Sequence, residues 1–139
     1  MEQTKMKCII VDDEPLLRQH IAEMTEQVDF LELVATFPSA LAAASRLQQG
    51  DIDLIFLDIN MPYLNGIDFL ESLENPPLCI FITAYSEYAL EGFRLQAVDY
   101  LLKPIVFQRF FQAATKAFQQ FVKRNKSTQE PVANDTMLF

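Results

Sequence analysis

Apolar and polar positions follow two rhythms along this chain. Short solid apolar runs recur, and between them apolar residues return every three or four positions. Cys8-Ile9-Ile10-Val11, Leu54-Ile55-Phe56-Leu57 and Leu78-Cys79-Ile80-Phe81-Ile82 are too short for helices and read as buried strands. With the runs around them they predict strands over Met6–Val11, Leu31–Thr36, Asp53–Leu57, Leu78–Ile82 and Val98–Leu102. Helical spacing predicts Glu14–Gln27, with Pro15 at the first helical position and Leu16, Leu17, Ile21 and Met24 turned inward. A second helix starts at an N-cap, Ser39, and runs to about Gln48, stopped by Gly50. A short third helix, Ile67–Leu73, ends before Pro76-Pro77; a fourth runs from Ser86 or Glu87 to Leu95. The longest spans Val106–Arg124 with a stripe of Phe107, Phe110, Ala114, Ala117, Phe118 and Phe121. From Asn125 the pattern stops, and residues 125–139 read as a polar linker or tail. The closing Met137-Leu138-Phe139 fits either the start of a further domain cut short or a tail without structure.

Five strands alternating with five helices predict an α/β fold: a five-stranded parallel doubly wound sheet with helices on both faces. The flavodoxin-like strand order 2-1-3-4-5 puts strands one and three side by side at the switch point, where ligands bind in such sheets. Several runs end in polar groups at that edge. The first strand ends in Asp12-Asp13, the third in Asp58, the fourth in Thr83 and the fifth in Lys103-Pro104. The second ends in Thr36-Phe37-Pro38 and offers little chemistry.

Composition narrows the field. A chain of 139 residues, half of them hydrophobic, builds one core without disulfide or structural metal. Its net charge of −8 argues against direct nucleic-acid binding. The apolar runs fall far short of the ~20 residues of a membrane span. Met1 to Lys7 carries no signal-peptide pattern, so a soluble, cytoplasmic protein is expected. Cys8 and Cys79 lie in strands that are not neighbours and read as buried core thiols.

Asp12, Asp13 and Asp58 held together would repel one another unless a hard cation joined them. An all-oxygen site with room for water suits Mg²⁺, with Mn²⁺ as the alternative. Asp13 and Asp58 are expected as direct ligands, Asp12 partly through water, and the backbone carbonyl of Asn60 as a further donor. Lys103 adds a compensating charge. The one histidine, His20, falls in the first helix, and Gly50, Gly66 and Gly92 are scattered, so no phosphate-cradling glycine loop exists. What remains is a carboxylate, Asp58, able to act as nucleophile toward phosphorus, with Thr83 and Lys103 placed to meet the phosphoryl oxygens. One aspartate after a strand is ordinary helix capping; two in succession exceed that need.

Val11-Asp12-Asp13-Glu14, Leu57-Asp58-Ile59-Asn60-Met61-Pro62, Gly66, Thr83-Ala84 and Asp99-Tyr100-Leu101-Leu102-Lys103-Pro104 together resemble the receiver domain of two-component response regulators, over residues 5–124. Thr83 to Leu90 followed by Phe93 is similar to receivers joined to LytTR-type DNA-binding domains. The resemblance implies a phosphoacceptor at Asp58, served by a sensor histidine kinase, in a domain that catalyses its own phosphorylation and slow dephosphorylation rather than a turnover enzyme. It implies Mg²⁺ on Asp12, Asp13, Asp58 and the Asn60 carbonyl, Lys103 on the phosphate, and a cis Lys103–Pro104 bond. It makes Thr83 the switch hydroxyl and Tyr100 the switch aromatic. Asn60 and Tyr85 flank the path of hydrolytic water and would tune the phosphorylated lifetime. The responsive surface would be the fourth helix, fifth strand and fifth helix, through which two copies could pair, with transcription through a DNA-binding domain outside this chain as output.

Three other classes share parts of this pattern. A haloacid-dehalogenase-type phosphatase needs Asp-x-Asp after the first strand. The third strand here carries Asp58-Ile59-Asn60 instead. A flavin mononucleotide carrier needs a Ser/Thr/Gly loop where Asp12-Asp13-Glu14-Pro15 stands. A docking domain that never takes phosphate would have no call for the complete set of site residues.

Overall fold

Residues 4–88 and 95–129 are described by the structure, a computed structural model. The strands are β1 (Met6–Val11), β2 (Leu31–Phe37), β3 (Leu54–Asp58), β4 (Leu78–Thr83) and β5 (Asp99–Leu102). The helices are α1 (Pro15–Glu26), α2 (Ala40–Leu47), α3 (Gly66–Ser72) and α4 (Phe107–Gln129), with a 3₁₀ turn at Ser86–Tyr88. All strand pairs are parallel, in the order β2-β1-β3-β4-β5 that the sequence predicts.

The sheet divides the core in two. On one face α1 and α4 cover Cys8, Ile10, Phe56, Ile80 and Ile82, with Phe110 of α4 stacked on Phe56 at 5.1 Å. On the other, α2 and α3 cover Ile9, Val11, Ile55, Leu57 and Phe81. Successive residues of one strand alternate between the faces, as the pleat requires. β3 is buried at every position, Asp58 included. A central strand of this kind can release a side chain to the solvent edge only at its end, which is where Asp58 stands. The two cysteines are free and buried, one in each half of the core, and burial pushes the Cys8 thiol up to about 12.

Ser39 caps α2 by accepting from the Ala42 N–H at 3.1 Å. Past the end of that helix, Gly50 takes the left-handed φ of 79° that its missing Cβ allows. Asn65 caps α3 by accepting from the Asp68 N–H at 2.8 Å. The Lys103–Pro104 peptide is cis.

Four details differ from the periodicity reading. Leu16 is 82 % exposed, because Ile21 and Met24 set the phase of α1 and only Leu17 follows them inward. Phe107 lies on the flank of α4 and is 43 % exposed, since Phe110, Ala114, Ala117 and Phe121 take the inner line. α4 also runs past Arg124 to Gln129, into the stretch read as linker. Lys126, Ser127 and Thr128 are polar but break nothing, and a helix already nucleated by packing propagates through such residues. The fourth helix expected up to Leu95 falls largely on residues 89–94, outside the described residues; its first residues, Ser86–Tyr88, form the 3₁₀ turn.

Candidate functional site

The ends of β1 and β3 lie side by side, and their carboxylates converge. One oxygen from each of Asp12, Asp13 and Asp58 lies within 4.8 Å of the others. Asp12 and Asp58 are buried, while Asp13 is exposed at the mouth. The Asp12 carboxylate accepts from the Glu14 N–H at 2.8 Å, and Asp58 accepts from the Asn60 N–H at 3.3 Å. The second oxygens, Asp12 Oδ2 and Asp58 Oδ2, are buried with no hydrogen-bond donor. Two orphaned buried carboxylate oxygens facing a third carboxylate are unusual in a folded domain, and they make a donor set suited to a hard cation. The residues present therefore fit Mg²⁺.

Lys103 reaches over from the end of β5. Its Nζ lies 3.4 Å from Asp58, 3.8 Å from Asp12 and 3.0 Å from Glu14. Burial works against its ammonium, but the hydrogen bond it donates to Glu14 and the charges of Asp58 and Asp12 outweigh it and raise the pKa. Burial also raises Asp12, and it raises Asp58 to about 7, with the neighbouring Asp12 charge adding to the effect and Lys103 opposing it. An aspartate so placed is a stronger base and nucleophile than a solvated one.

Thr83 ends β4 and is fully buried. Its hydroxyl donates to the Asn60 side-chain oxygen at 3.3 Å and accepts from the Tyr85 N–H at 3.0 Å. It thus joins the β3 end to the loop that carries Tyr85, which is half exposed at the rim. Tyr100 stands apart from the cluster. It is half-buried and packs against the α2–α3 side of the core. Beside it Arg109 donates to Asp99 at 2.9 and 2.7 Å and to the Tyr100 carbonyl at 3.0 Å.

Three contributors escaped the sequence reading. Glu14 holds Lys103, Arg18 donates to the Asp12 carbonyl at 2.7 Å, and Arg109 braces the segment around Tyr100. Glu14 had a visible signal, a third acid after the Asp12-Asp13 pair. The two arginines had none, because their partners are set by helix phase.

The raised Asp58 pKa has a sign that can be tested. The folded chain keeps a proton that the unfolded chain, near pH 4, has already lost, so without cation stability falls as pH rises from about 4 through about 7. Urea unfolding in a chelator should show a loss on the order of 2–4 kcal/mol between pH 5 and 8, and saturating Mg²⁺ should flatten it. A chelated profile already flat across that range would contradict the assigned burial of Asp58.

Residues 8–115 match the family described as the response regulator receiver domain. An uncharacterized response regulatory protein of Vibrio cholerae is 39 % identical over 137 residues, covering 96 % of this chain and 52 % of the relative. The transcriptional regulatory protein YpdB of Escherichia coli is 39 % identical over 121 residues, covering 83 % of this chain and 50 % of that protein. The chain thus spans about half the length of these curated relatives. The crystal structure of the response regulatory domain of MrkE from Klebsiella pneumoniae superposes with a TM-score of 0.77 at 36 % identity, covering 85 % of this chain and 99 % of that one.

Proposed function

The chain belongs to the response regulator receiver domain family, and from that premise we propose a switch that takes a phosphoryl group on Asp58 from the phosphohistidine of a sensor kinase. The observation that carries this reading is the convergence of Asp12, Asp13 and Asp58 under the Lys103 ammonium. Asp12, Asp13, Asp58 and the Asn60 carbonyl are the residues proposed to hold Mg²⁺, whose part when bound is to offset negative charge on the transferring group.

An oxygen of Asp58 forms the new bond to phosphorus, the phosphorus–nitrogen bond of the donor breaks, and the imidazole departs as the leaving group. Lys103 offsets charge on the phosphoryl oxygens, and Thr83 donates a hydrogen bond to one of them. To do so the Thr83 hydroxyl must leave Asn60. That small movement at the end of β4 is the proposed switching event, with Tyr100 turning inward behind it. The surface altered comprises the segment after β4, β5 and α4.

The output proposed is transcriptional control through a LytTR-type DNA-binding domain. Support comes from the stretch Thr83 to Leu90 with Phe93, and from relatives twice as long that include a protein named a transcriptional regulator. The receiver unit of residues 5–124 then extends along α4 to Gln129, and the residues beyond lead to the output domain. Among the described residues no helix is long and apolar enough to cross a membrane.

Acetyl phosphate with and without Mg²⁺, read by intact mass, tests the reading. The expected product carries one phosphoryl group, forms only with the cation and reverts slowly. Release of many phosphates per chain would mark an enzyme instead and sink the switch. Tyr85 stands at the rim, where attacking water must pass, so Tyr85→Ala should shorten the acyl-phosphate lifetime several-fold. An unchanged decay rate would remove Tyr85 from that role.

A further inference from the structure

Glu14 stands where α1 begins, yet its side chain does none of the work of that position. An N-cap side chain ordinarily accepts from an N–H of the first turn, and the Glu14 carboxylate caps nothing. Its backbone is fixed on both sides. The N–H donates to the Asp12 carboxylate at 2.8 Å, and the carbonyl accepts from the Arg18 N–H at 3.0 Å. Arg18, four residues on, is the usual helical partner for such an acid. Its guanidinium goes instead to the Asp12 carbonyl at 2.7 Å. The Glu14 carboxylate crosses to the end of β5 and accepts from Lys103 Nζ at 3.0 Å, over 89 positions of sequence. The same ammonium lies farther from Asp58, at 3.4 Å, and from Asp12, at 3.8 Å. The Lys103 N–H donates to the Thr83 carbonyl at 2.8 Å, so its backbone is anchored and only its side chain can swing.

We infer that Glu14 is a positioning residue that competes with a phosphoryl group on Asp58 for the Lys103 ammonium. The inference rests on the phosphoacceptor reading above and adds a residue to which that reading gives no part. Charge sets its direction. Phosphoryl transfer adds negative charge at Asp58, and Glu14 opposes it twice. Its own charge repels the arriving oxygens, and its hydrogen bond draws the ammonium away from them. Toward a dication the same carboxylate works the other way. It adds attraction, and it keeps the ammonium from bearing harder on Asp12 and Asp58. Exposure allows the exchange. The Glu14 side chain is 59 % exposed, whereas those of Asp12 and Asp58 are buried, so Glu14 can give up Lys103 for water and they cannot. An open cleft of about 500 Å³, lined by Glu14, Leu16, Leu17 and His20, gives its carboxylate room to turn. Glu14 therefore favours cation uptake and opposes phosphoryl retention.

Glu14→Gln keeps the shape of the side chain and removes its charge. Two titrations of the 139-residue chain read the result. Calorimetry follows Mg²⁺, and fluorine NMR follows beryllofluoride, which binds a carboxylate as a phosphoryl group would, with Mg²⁺ saturating for each protein. Mg²⁺ affinity should fall and beryllofluoride affinity should rise, each by about twofold to fivefold, the size expected of a half-exposed ion pair. Glu26→Gln makes the same change of net charge at the far end of α1 and should move neither. A side chain that merely props up Lys103 or the fold would weaken both ligands together. Beryllofluoride binding weakened or unchanged in Glu14→Gln would overturn the inference, as would an unchanged Mg²⁺ affinity or an equal effect of Glu26→Gln. Failure of the wild-type chain to take beryllofluoride at any Mg²⁺ concentration would instead remove the phosphoacceptor, and with it the group that Glu14 is inferred to oppose.

Discussion

Asp58→Asn should abolish phosphorylation by acetyl phosphate and yet make the cation-free domain more stable. The two effects share one cause. Asp58 is buried at the end of β3 with its Oδ2 unpaired, beside the equally buried Asp12, and its pKa is raised to about 7. An amide of the same shape removes the oxygen proposed as nucleophile and also removes a charge that the fold holds at a cost. The Asn60 N–H can still donate to the amide oxygen as it does to Asp58 Oδ1. The stabilisation should be on the order of 2 kcal/mol in urea at pH 8 with chelator, and should shrink toward pH 5. Loss of modification together with a raised urea midpoint separates a missing acceptor from a misfolded one. Modification persisting in Asp58→Asn would move the acceptor elsewhere, and lowered stability would show that the pocket depends on the charge.

The second large effect belongs to a residue with no chemistry. Gly66 opens α3, and its N–H donates to the Ile59 carbonyl at 2.9 Å, folding the loop back against the end of β3. A Cβ built there would lie far inside the contact distance of the Asp58 carbonyl oxygen and 3.1 Å from both the Asp58 carbonyl carbon and Leu57 Cγ. Neither backbone nor buried Leu57 can yield cheaply. Gly66→Ala should therefore cost about 3 kcal/mol and weaken Mg²⁺ uptake, because the displaced atoms belong to Asp58 itself. Urea unfolding and calorimetric Mg²⁺ titration would measure both. A variant with wild-type stability and wild-type uptake would mean that the loop relaxes in some way the present packing does not provide.

Strand order and site were legible because the chemistry sits at the ends of apolar runs. Ile10-Val11-Asp12-Asp13 and Phe56-Leu57-Asp58 announce both the buried strand and the point where it reaches solvent. Where two apolar neighbours competed for one inner position, the sequence did not arbitrate. Leu16 against Leu17 and Phe107 against Phe110 were resolved only by the residues packed opposite. The end of α4 was illegible for another reason. Polar residues after Arg124 neither favour nor forbid another turn, so the helix continues until something stops it. The arginines at 18 and 109 act through carbonyls and carboxylates brought near by folding, and no local spacing predicts such pairs.

Lys103 has a consequence for how the pocket is filled. With its ammonium among three acids, Lys103 offsets part of their mutual repulsion. The folded shape is then expected to survive chelation, because the ammonium holds the ends of β1, β3 and β5 together by charge. The same ammonium repels an arriving dication, so occupancy should be loose and quickly renewed. Magnesium would behave as a visiting reagent, present for the transfer and gone afterwards, rather than as a permanent fixture of the architecture.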